Sequence, residues 1–126
     1  MISKLKNYPI APAALTGLIL IVYVAILILR AGGDPLVLAS IGTQFSQGDP
    51  QGTEGYDGQF VVYIARDPRP ISVLAQLDVP AYRYQRILLP MLARLLSLGV
   101  HDRIPWVLAA LGVIAQTLGT WGVAIL

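Results

Sequence analysis

The chain predicts an all-α membrane protein in which two transmembrane helices are joined by a long extracytoplasmic loop carrying a membrane-interface helix. Three observations lead there. Of the 126 residues 56% are hydrophobic and only 13% charged, where a soluble domain carries about a quarter charged residues. Mean hydropathy is +0.67. The apolar residues are also gathered into long uncharged stretches, which a soluble core does not require.

The first stretch, Ile10 to Leu29, reads IAPAALTGLILIVYVAILIL and has no charge. At about 1.5 Å per residue it matches a hydrocarbon core of about 30 Å, so with Arg30 as its boundary it is transmembrane helix 10–30. Pro9 and Pro12 fall near the first turn, where a missing N–H costs little. Lys4 and Lys6 precede the span, and the positive-inside rule makes 1–9 the cytoplasmic N-terminus. Residues 31–103 are then extracytoplasmic in a multi-pass cell-membrane protein. A cleaved signal peptide competes, because Ala31, Gly32 and Gly33 follow the span, but the apolar run is long for one.

The second span is 104–126, IPWVLAALGVIAQTLGTWGVAIL. Pro105 suits a first helical turn, Trp106 an interfacial position, and Asp102 and Arg103 mark the aqueous edge. Ala115 and Gly119 lie four residues apart with Gly112 and Gly122 nearby, a face on which other transmembrane helices or subunits can approach closely. Small residues are also simply common in membrane helices. Gln116 and Thr117 are expected to face protein rather than lipid. The apolar run reaches Leu126 with no polar flank, so the sequence reads as cut off.

Between the spans, 31–83 forms the extracytoplasmic loop, opened by the turn-rich pieces GGDP, GDP and GTEG. Leu36 to Ile41 is a short apolar patch within it. Gly58 to Arg66 fits a short helix and a strand equally, and Asp67-Pro68-Arg69-Pro70 ends it. Residues 84–100 read as an interfacial amphipathic helix, with Leu88, Leu92, Leu95, Leu96 and Gly99 on one face and Arg94 and Ser97 away from it. A third span through Arg94 is the alternative there.

The nine basic residues form no run, so no nucleic-acid partner is expected. The chain has no cysteine and one histidine, which removes disulfides, Cys-ligated zinc and iron–sulfur clusters. No cofactor is expected; a divalent metal is compatible with the chain but nothing indicates one. His101 reads as an interface residue. Two polar clusters carry what chemistry there is. Glu54-Gly55-Tyr56-Asp57-Gly58-Gln59-Phe60 sets acids among glycines that admit a ligand to the backbone. Tyr82-Arg83-Tyr84-Gln85-Arg86 alternates arginines with aromatics. A carboxylate can serve as general base and guanidinium groups bind phosphate, which suits a membrane lipid or a lipid-phosphate-linked sugar. The plainer reading is an ordinary acidic loop with arginines resting on headgroups.

The runs GYDGQF, YIARDP and PAYRYQRILLPMLARLLSLG, followed by a membrane span, resemble the start of bacterial GT-C type glycosyltransferases, from about Asp34 onward. These multi-span enzymes move sugars from polyprenyl-phosphate carriers to acceptors outside the cytoplasm. The resemblance implies that Asp57 is the acidic catalytic residue, acting as base, that Arg83 and Arg86 lie near the carrier phosphate, and that Tyr56 and Gln59 line the substrate site. It departs from the family in length, since those enzymes have roughly eight or more spans, and this implies an N-terminal portion inactive as these residues alone. The alternative is a small accessory subunit of a larger membrane complex, such as an energy-transducing one. An independent lipid-binding anchor rests on the arginines only.

Overall fold

The computed structural model describes residues 10–126, and the cytoplasmic segment expected over 1–9 lies outside them. Among the described residues the architecture is all-helical, apart from one isolated β-bridge between Ile41 and Gly55. The α-helices are α1 (Ile10–Arg30), α2 (Thr43–Gln47), α3 (Gly58–Arg66), α4 (Pro70–Val73), α5 (Pro80–Tyr84), α6 (Leu88–Leu96) and α7 (Ile104–Ala124). Short 3-10 turns cover Pro35–Leu38, Leu74–Gln76 and His101–Arg103. Two helices, α1 and α7 with its preceding turn, are long and apolar enough to cross a membrane.

These two helices pack antiparallel. Gly17 of α1 meets Thr117 of α7, and Ile28 at the other end of α1 shares a cleft with Trp106 and Ala109. A Cβ on Gly17 would sit 3.1 Å from the Thr117 hydroxyl, so glycine is what lets the backbones approach here. Ala13, Gly17 and Ile28 are the buried residues of α1. Its other sides stay bare: Leu15, Leu18 and Ile19 are 60%, 59% and 57% exposed. A water-facing helix of this length would carry a polar side opposite its buried stripe; this one has none.

Residues 31–103 gather at the end of the hairpin where α1 finishes and α7 begins. Their centre is α3. Phe60, Tyr63 and Ile64 pack with Val73 and Leu77, and with the half-buried Ile41, Phe45 and Tyr84. On its other side Ala65 meets Ala93 of α6 and Ile104 of α7. This stretch, which fitted a helix and a strand equally, is a helix. Gln59, Phe60, Val62, Tyr63, Ile64 and Ala65 are all buried, which is what a helix enclosed on all sides requires. Burying Phe60 and Ile64 contributes about 2 kcal/mol each.

The 84–100 stretch differs from its expected single helix. Residues Pro80–Tyr84 form α5, a turn follows, and α6 covers only Leu88–Leu96. At nine residues, α6 is too short to cross a bilayer. Pro90 does not kink α6, because it lies in the first turn, where its missing N–H is no loss. Its buried positions are Pro90 and Ala93, while Leu88 and Leu95 are 80% and 70% exposed. Arg94 turns inward. Its guanidinium donates to the carbonyl oxygens of Ala65 (3.1 Å) and Arg66 (2.6 Å) at the end of α3, carbonyls left without an intrahelical partner.

Candidate functional site

The site begins with a staple that holds its loop. Gln59 is 1% exposed, and its amide oxygen accepts from the backbone N–H of Gly42 at 3.1 Å while its nitrogen donates to the Glu54 carbonyl at 2.7 Å. Tyr63 donates its hydroxyl to the same Gln59 oxygen, and burial pushes the Tyr63 phenol above its ordinary pKa. Thr43 and Thr53 reinforce the loop through paired bonds of 3.0 and 3.1 Å between backbone and hydroxyl. At Gly55, φ is +76° and a Cβ would lie 2.4 Å from the Gly42 nitrogen. Only glycine fits a left-handed residue that crowded. The staple delivers Tyr56 and Asp57 to the start of α3, with Tyr56 tied by its N–H to the Ser40 carbonyl and its ring 71% exposed.

Asp57 sits at the N-cap position of α3 but makes no side-chain cap hydrogen bond. Its carboxylate instead accepts from Arg83 at 3.0 Å. Arg83 reaches there from α5, where Pro80 supplies the preset first turn. Its Nε and Nη2 both donate to Asp78, at 2.7 and 2.6 Å, a two-pronged pairing that fixes the plane of the guanidinium. The same group lies over the Phe60 ring, 4.2 Å from its centroid, so one face rests on the loop core. The hydrogen bonds from Arg83 hold the Asp78 carboxyl below the usual carboxylate range, against a smaller opposing effect of burial. Reciprocally, Asp78 and then Asp57 raise the Arg83 pKa.

Arg86 follows one turn later on the same cleft. It stacks on Tyr82, 4.9 Å from the ring centroid, and donates to the Tyr82 hydroxyl. Among the described residues it pairs with no carboxylate. The cleft of about 130 Å³ between α3 and α6 is lined by Asp57, Val61, Ile64, Arg83, Arg86 and Pro90. On the far side of Asp57 a second hollow, about 260 Å³, is lined by Phe45, Glu54, Tyr56, Gln59 and Asp78. The carboxylate of Asp57 therefore stands between a cationic, largely apolar cleft and an acidic one.

The structure thus brings Asp57, Arg83 and Arg86 together, leaves Tyr56 at the mouth of the second hollow, and commits the Gln59 amide to the loop. Asp78 was not marked by the sequence. Its only signals are a position just ahead of Pro80 and five residues before Arg83, a spacing no helical periodicity picks out. Comparison with protein-family models, curated proteins and solved structures gave no match to this chain.

Proposed function

We propose that this chain carries the extracytoplasmic acid and the anion-facing arginines of a GT-C-like membrane glycosyltransferase that moves a sugar from a lipid-phosphate carrier. One observation supports this above the others: Asp57 and Arg83, from the two motifs on which the resemblance rests, are 3.0 Å apart across 26 positions of sequence. In this reading Asp57 takes the proton of an acceptor hydroxyl as its oxygen bonds to the sugar's anomeric carbon. The bond from that carbon to the carrier's phosphate oxygen breaks, and the phosphate leaves into the arginine-lined cleft. Both long helices cross the membrane with the N-terminus cytoplasmic and 31–103 outside. The exposed leucines of α6, Leu88 and Leu95 foremost, rest in the interface. The 130 Å³ cleft is small beside ligand pockets of about 300–1,000 Å³, so the rest of the donor site is assigned to further helices, and these residues alone have no turnover. The test is the protein as its native host makes it. We expect an intact mass several times 13.6 kDa and transfer activity abolished by Asp57→Asn with expression unchanged. Near-normal transfer in that variant removes Asp57 from the mechanism.

A second reading, an accessory subunit of a larger membrane complex, is favoured by one different observation. Ala115, Gln116 and Gly119 are exposed on α7, and nothing among the described residues lies within 4 Å of where a Cβ on Gly112, Gly119 or Gly122 would stand. Such a face suits a neighbouring transmembrane helix. Under this reading Asp57→Asn is silent, and the chain has the mass of these residues and purifies with partners.

A further inference from the structure

The resemblance treats Arg83 and Arg86 alike, but their surroundings differ. Arg83 has three hydrogen bonds to two carboxylates and one face against Phe60, and its side chain is only 11% exposed. Its charge is already compensated and its geometry is fixed from two sides. Arg86 has an exposed guanidinium steadied by Tyr82 and no acidic partner among the described residues.

Resting on the reading above, we infer that Asp78 is a positioning residue: it clamps Arg83 so that Arg83 orients Asp57, and it thereby withdraws Arg83 from ligand binding, leaving Arg86 as the group that receives a phosphomonoester. The physical reason lies in the pairing. A guanidinium engaged by one carboxylate through two parallel bonds presents a fixed remaining edge, and here part of that edge meets Asp57. An incoming phosphate would have to compete with two carboxylates for Arg83, and with none for Arg86. The apolar side of the cleft, Val61, Ile64 and Pro90, suits the first carbons of a lipid chain attached to that phosphate.

This assignment predicts opposite signs for two neighbouring substitutions. The full chain in lipid nanodiscs is titrated with an isoprenyl monophosphate, and in parallel with inorganic phosphate. Arg86→Gln is expected to weaken phosphate binding about tenfold, the loss of one charge-assisted contact. Asp78→Asn releases a cation beside the cleft and is expected to tighten binding several-fold, whereas a residue that merely held the fold together would weaken it. Asp78→Glu should stay near wild type. Binding weakened by Asp78→Asn at unchanged helix content overturns the assignment, as does an Arg83→Gln variant that loses more affinity than Arg86→Gln. A readout without ligand separates this inference from the functional reading. The Nε–H resonance of Arg83 should exchange slowly in the wild type and rapidly in Asp78→Asn. If the wild type binds neither phosphate, the anion-binding role given to Arg86 falls together with the carrier-lipid reading. The slow Arg83 resonance still stands or falls by itself as evidence for the clamp.

Discussion

Two arginines outside the two long apolar helices are used here in opposite ways. Arg94 interrupts an apolar run and looks like a defect in it, yet its guanidinium caps α3 by taking the Ala65 and Arg66 carbonyls. Arg94→Met keeps the aliphatic stem but leaves those carbonyls unpaired, and should cost about 2–3 kcal/mol, read as a lower denaturant midpoint in detergent. Arg83 instead joins two acids. Because the Asp78 carboxyl is held below its ordinary range by Arg83, its contribution is present above the unfolded value of about 3.9 and is lost as pH falls through the lower folded value. At pH 7 Asp78→Asn should therefore be less stable than the wild type by about 1 kcal/mol, a figure reduced by solvent screening. That gap should close on acidification below about pH 4. A gap that does not narrow on acidification would show that the clamp is not what Asp78 contributes.

Elements differ in which of their faces is already occupied. On α1 the contact is made at Gly17, where Thr117 stands 3.1 Å from a would-be Cβ. On α7, nothing among the described residues lies within 4 Å of where a Cβ on Gly119 would stand. The two glycines should respond differently to the same substitution. Gly17→Leu forces α1 and α7 apart and should lower the thermal midpoint of the isolated chain, while Gly119→Leu should leave that midpoint unchanged. If a neighbouring helix packs on α7, Gly119→Leu will instead abolish co-purification. Equal effects on the isolated chain would mean that the hairpin does not pack as described. The pattern in α6 follows the same logic: Ala93, with no side chain beyond Cβ, faces α3, and the leucines that a water-soluble protein would hide are turned out.

For the whole molecule, the exposed apolar sides of α1 and α7 and the single end at which 31–103 gather make one orientation testable. The chain has no cysteine, so Gln51→Cys introduces a unique thiol at an exposed loop position. A membrane-impermeant maleimide added to intact cells should label it. Labelling only after the cells are opened would invert the proposed topology and move Asp57 to the cytoplasmic side.

What the sequence by itself determined is the all-helical class and the two stretches long enough to cross a membrane. Span length and lack of charge are local properties, readable from Ile10 to Leu29 and from Ile104 onward without knowing any neighbour. The break at Asp67-Pro68 is local for the same reason, since proline restricts its own turn and the residue before it. Tertiary structure alone decided the rest. Gly58 to Arg66 had β-branched and aromatic residues enough for a strand, and is a helix packed between the loop core and α6 and α7. Gln59 was drawn into the loop by Gly42 and Glu54. Asp78 acquired its place through Arg83, and Arg94 through carbonyls almost thirty residues away. Each of these depends on atoms brought together by packing, and a pairing between distant groups leaves no periodic trace in the chain that forms it.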